Sequence, residues 1–288
     1  MFIKSILCAA LGTMYAVVPS QAAAPAPLTL EVFNPGEAAI FPVSSVLVKG
    51  AHDAILIDAQ FSRAEALKLA ERIKASGKRL TTVYVSHGDP DFYFGLDVIK
   101  AAFPEAKIVA TAATVAAMRS KAPAKVAYWG PILKENAPAA IVYPEVLEGD
   151  TLRLEGQSLN IAGAPERSYV WIESIKAVAG GVVLFSDLHV WMADTQTAAS
   201  RAAWLETLKG IEARHPVTVV PGHFKAGVPM TAVSIAYTRD YIKRFETETA
   251  SAADGAALAS AMQTAYPAAG MVAGLQTSAK VAKGEMKW

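Results

Sequence analysis

Short β-branched runs, each closed by turn residues, alternate with helical stretches along the chain, and that alternation constrains its fold more than any single motif does. Leu28 to Phe33, Ser45 to Val48 and Ala54 to Asp58 read as strands separated by Asn-Pro-Gly and Lys-Gly turns. A helix is expected from an N-cap at Ser62, with Leu69 and Ile73 one turn apart and Gly77 as its stop. Strands at 81–85 and 107–110 follow, and residues 111–140 read as mixed helix and loop because they hold three prolines. The second half repeats the plan, with strands at 151–154, 158–161, 169–172, 177–185 and 217–220. Its helix over 198–213 puts Trp204, Leu208 and Ile211 on one face, and two helices are expected at the C-terminal end, broken near residues 253–255. Alternation of this kind predicts a layered α/β domain with helices outside the sheets.

The N-terminus reads differently. Lys4, the apolar run Ile6 to Val18 and the small residues up to Ala24 have the three-part layout of a secretory signal peptide. The expectation is a cleaved segment 1–24, a single domain over 25–288, and a periplasmic or secreted location. The only cysteine, Cys8, falls in that segment, so neither a disulfide nor a cysteine-metal site is expected in 25–288. Removing Lys4 also takes the formal charge of the chain from +1 to neutral, and no Lys/Arg run is present. Nucleic acid and anionic membranes are therefore not expected partners. Beyond residue 24 no apolar run approaches the ~20 residues of a spanning helix. A small-molecule substrate is the partner the sequence suggests, and it leaves the oligomeric state open.

One loop interrupts the apolar pattern. Behind the run ending at Val85, His87-Gly-Asp89-Pro-Asp91 places one imidazole and two carboxylates within five positions. Asp89 starting a turn and Asp91 capping a helix would account for the loop without any function. The other reading is a metal-binding and acid/base loop. His52 and His215 read as structural. The aromatics Phe92, Tyr93, Phe94, Trp129, Trp171 and Trp191 read mainly as core, with some available to line an apolar pocket.

The strand followed by Ser-His-x-Asp-x-Asp, and later Val-Val-Pro-Gly-His223, resembles the metallo-β-lactamase superfamily over roughly residues 28–246. The resemblance implies a four-layer αββα sandwich with one or two metal ions where strand ends meet. Residue by residue the match is partial. His87, Asp91, Asp187 and His223 fit motif positions, with one residue missing from the spacing before Asp187. Asp89, Phe92 and Ala164 stand where the pattern has histidines, and Glu166-Arg167 follow in that last segment. The implied set is one divalent metal, zinc with manganese or iron as alternatives, held by His87, Asp89, Asp91, Asp187 and His223. Asp91 and Asp89 are the implied acid/base groups. The implied activity is hydrolysis of an ester, lactone or amide through activated water. A non-catalytic small-molecule-binding protein that has lost the metal site stays open beside it, as does an iron-dependent oxidoreductase. Metal content discriminates among them.

Overall fold

A computed structural model describes residues 26–288, so the proposed signal segment and Cys8 lie outside the described residues. In chain order the first half comprises β1 (Thr29–Phe33), β2 (Ser45–Lys49), β3 (Asp53–Ile57), α1 (Arg63–Ala75), β4 (Arg79–Val85), α2 (Pro90–Tyr93), α3 (Leu96–Ala102), β5 (Lys107–Ala110), α4 (Ala112–Leu133) and β6 (Glu145–Val146). The second comprises β7 (Thr151–Leu154), β8 (Gln157–Ala162), β9 (Tyr169–Ile172), β10 (Ala177–Ala179), β11 (Phe185–Ser186), α5 (Ala198–Glu212), β12 (Thr218–Val219), β13 (His223–Phe224), α6 (Val233–Ser251), α7 (Gly255–Ala265) and α8 (Val272–Ala282). Strands β1 to β6 form one sheet in sequence order, antiparallel as far as β3 and parallel beyond it. The second sheet runs β12-β10-β9-β8-β7, and β11 with β13 makes a short parallel pair.

Period-two alternation of side chains explains the layering. Val46, Val48, Ile55, Ile57 and Tyr84 share a core with Val170, Ile172, Ala177 and Ala179, which fills the space between the sheets. Their neighbours Leu47, Leu56 and Val83, and Trp171 and Val178, point the other way into a core with Leu69 and Ile73 of α1 and Trp204 and Leu208 of α5. The result is the αββα sandwich. Helix α1 starts as the sequence predicts: Ser62 and Glu65 form a reciprocal capping box.

Three local expectations differ from the structure. The strand expected over 177–185 stops at Ala179, because Gly180 and Gly181 both adopt left-handed backbone, with φ of 75° and 76°. A side chain at Gly181 would meet the Ser168 carbonyl oxygen at 2.0 Å, so only glycine fits there. Residues 111–140 are dominated by one 22-residue helix, α4, which runs through Pro123 and Pro131. Both proline rings are exposed, while Met118, Ala122 and Leu133 anchor the opposite face in the core. The C-terminal region has three helices, because Met271 turns left-handed between α7 and α8. Among the described residues, no helix is long and apolar enough to cross a membrane.

Candidate functional site

Parallel strands of the first sheet end where the β4–α2 loop, the Gly180-Gly181 turn and the β13 strand meet. Asp58, the residue after β3, fixes this junction from below. It is fully buried and left-handed (φ 65°), and its carboxylate accepts the Ser86 N–H at 2.8 Å and the Ser86 hydroxyl at 2.6 Å. The Ser86 oxygen in turn accepts the Gly181 N–H at 2.7 Å. Burial pushes the Asp58 carboxyl up to about 7, against the lowering effect of the Ser86 hydrogen bonds. From sequence Asp58 reads only as a strand end; an aspartate closing an otherwise apolar buried strand is the available signal.

Ser86 leads into the His-Gly-Asp-Pro-Asp loop. Asp89 is the N-cap of α2, yet its side chain makes no capping bond, and Asp91 lies in the first turn. Asp91 Oδ2 lies 2.8 Å from His223 Nε2, a buried contact across 132 positions of sequence. The turn-and-cap reading therefore does not account for Asp91. Ring packing sets the imidazole of His223: Phe185 stacks on it at 5.0 Å, and Phe92 meets it edge-on at 5.7 Å. Among the described residues its buried Nδ1 has no partner. With the Asp91 carboxylate as acceptor, the Nε2–H is the donor of the 2.8 Å contact.

His87 and Asp89 form a second pair. The Asp89 backbone N–H donates to His87 Nδ1 at 3.2 Å, and burial holds the imidazole below its ordinary value while the Asp89 carboxylate opposes that. The same ring nitrogen lies 3.4 Å from the Asp89 carboxylate. Burial alone would raise the Asp89 carboxyl, but the neighbouring His87, and after it Lys125, Lys121 and Arg167, outweigh it and keep the group below its ordinary range. Lys125 Nζ lies 3.8 Å from Asp89. Arg167, in the turn after Ala164, is buried, donates to Thr195 Oγ1 at 2.6 Å and stacks on Trp204 at 4.0 Å.

Asp91, His223, Asp89 and Lys125 line one pocket, walled by Phe41, Phe185, Trp129, Trp191, Trp288 and Met271, with room of about 50 Å³. Asp194 stands at its edge, its two oxygens accepting the indole N–H groups of Trp191 at 2.7 Å and Trp288 at 2.8 Å. Neither Asp194 nor Trp288 stands out in the sequence, and no local pattern marks them. Asp187 does not join the pocket. It is exposed, left-handed (φ 54°) and one residue past β11. His189 is buried elsewhere, 3.0 Å from the Tyr241 hydroxyl. His87 faces a neighbouring cleft with Lys121 and Glu166.

Comparison with known proteins bears on the fold. Residues 39–223 match the profile of the Metallo-beta-lactamase superfamily. The chain belongs to that superfamily. A metallo-beta-lactamase family protein from Thermus thermophilus shares the superfamily fold at a TM-score of 0.62 and 16% identity, over 88% of this chain and 91% of that one. A metallo-beta-lactamase from Pontibacter korlensis superposes at 0.54 with 15% identity, covering 75% and 95% of the two chains. The DIM-1 metallo-beta-lactamase gives 0.54 with 14% identity, covering 76% and 99%. No curated protein matches the chain.

Metal-dependent hydrolysis is the chemistry that superfamily membership suggests, so the donors must be tested against it. Among the described residues, no group of three or more His, Cys, Asp or Glu side chains is placed to hold an ion. Of the five residues expected to act together, Asp91 pairs with His223 and Asp89 with His87, Asp89 also reaching the pocket of Asp91 and His223, while Asp187 lies outside it. Two further details oppose a metal. A ligating histidine ordinarily donates its second ring N–H to an anchor, and His223 Nδ1 has none. Where Asp89 replaces a histidine, fixed cations already stand beside it. The residues of this superfamily member do not fit the metal centre that its fold implies.

Proposed function

We propose that this superfamily member is a hydrolase in which Asp91 is the general base and Lys125 the electrophile, acting on a small ester, lactone or amide. The observation that carries the reading is the 2.8 Å contact between Asp91 Oδ2 and His223 Nε2 at the wall of an aromatic pocket. The His223 N–H fixes one carboxylate oxygen, and no protein donor among the described residues reaches the other. That free oxygen takes a proton from water as the water oxygen attacks the substrate carbonyl carbon. The carbonyl electrons move onto oxygen, and the Lys125 ammonium stabilises the charge that develops. Collapse of the tetrahedral intermediate breaks the bond to the leaving group, which regains the proton from Asp91. Asp89 keeps Lys125 in place from 3.8 Å. Export, with loss of residues 1–24, is part of the same proposal and rests on the sequence layout alone.

Asp91→Asn tests the assignment, since asparagine keeps the shape and can still accept from His223 but is no base. Ester hydrolysis should fall about 10²–10⁴-fold, the usual worth of a general base, while the melting temperature stays near that of the parent. Undiminished hydrolysis in that variant would remove Asp91 from the chemistry. A parent chain inert toward esters, lactones and amides alike would leave the binding-protein reading.

A further inference from the structure

The inner pocket is too small for a whole substrate, and what lies outside it is continuous with it. Its roughly 50 Å³ holds a few water-sized groups, enough for a carbonyl and a short acyl chain. Beyond it a groove of about 510 Å³ runs past α4, and Lys125, Trp129, Asp194 and Trp288 line both spaces. The groove adds Tyr128, which is 61% exposed, and Trp288 is 44% exposed. Large aromatic side chains left in water serve no core.

These rings are also held in position. Trp288 is fixed by its hydrogen bond to Asp194 and carries Lys125 Nζ 5.1 Å above its face. Tyr128 packs edge-on to Trp129 at 4.9 Å, and Trp129 in turn packs edge-on to Phe61 at 5.1 Å. Rings locked before binding lose little freedom when a flat group joins them, whereas flexible aliphatic walls would have to order. Offset and edge-on packing reward an aromatic guest over an aliphatic one of equal size.

We infer that the groove holds the aryl part of the substrate, so that the hydrolase prefers esters joining a small acyl group to an aryl-bearing alcohol. This inference rests on the hydrolase reading for its reaction but not for its binding surface. Benzyl acetate and cyclohexylmethyl acetate provide the test, because they match in acyl group, in size and closely in leaving-group basicity. The expected KM for the benzyl ester is roughly three- to tenfold lower, the worth of an aromatic contact. Tyr128→Ala, which removes an exposed ring of the groove, should erase that preference by raising KM for the benzyl ester toward that of the cyclohexylmethyl ester. Equal KM values in the parent chain, or a preference that survives Tyr128→Ala, would overturn the inference while leaving the hydrolase standing. Benzyl methyl ether, which offers no hydrolysable bond, separates the two claims. If neither ester is turned over, quenching of tryptophan fluorescence by this ether in the parent chain but not in Tyr128→Ala would support the groove and sink only the hydrolase. No quenching in either protein, with no aryl preference, would sink the groove.

Discussion

Asp58 shows how much of this site depends on one buried carboxyl. It joins the end of β3 to Ser86 and, through the Ser86 hydroxyl, to the Gly181 turn, so the loop bearing Asp89 and Asp91 inherits its position from Asp58. Burial raises its pKa from 3.8 to about 7 in the folded chain. Between those values the folded state holds a proton that the unfolded state has released. Stability is therefore greatest below the unfolded value, falls as pH rises through this window and levels off above about 7, by at most about 1.4 kcal/mol per pH unit. Asp58→Asn lacks that titration. Urea midpoints of parent and variant, followed from about pH 4.5 to 8, should converge or cross as the parent loses ground. Parallel curves would show that Asp58 does not titrate there. His223 makes a related point: what separates a capping aspartate from a reacting one is a partner 132 positions away. The Pro-Gly-His resemblance points to that residue, and no local periodicity does.

At the scale of elements, most of the fold was legible. Strands β2, β3, β4 and β5 fall within two residues of the β-branched runs at each end, because period-two burial and turn glycines act locally. What was not legible came from contacts distant in sequence. The strand after Ala177 breaks because the Gly181 backbone must pass the Ser168 carbonyl, and a sequence pattern cannot show that approach. Helix α4 survives two prolines because both face solvent while its other side is anchored. The site divides in the same way. The sequence resemblance named His87, Asp89, Asp91 and His223, which do end at adjoining strand termini. It also named Asp187, which stands exposed on left-handed backbone outside the pocket. The Asp194 and Trp288 pairing across 94 positions left no trace in the sequence.

Across the whole molecule, the chain keeps the superfamily sandwich while its donors no longer converge. Cations stand beside Asp89, and Arg167 is buried in the turn after Ala164. The export proposal belongs to this scale as well. Intact-mass analysis of the chain expressed with its full sequence should find a start at Ala23, Ala24 or Pro25, and an unprocessed Met1 form in the exported fraction would count against it. Chelation tests the proposal that Asp91 and Lys125 do the work of a metal. The measurement is the rate of phenyl acetate hydrolysis by the full chain before and after exhaustive dialysis against a chelator, with zinc then added back. One unchanged rate is expected throughout. A rate abolished by the chelator and restored by zinc would contradict it.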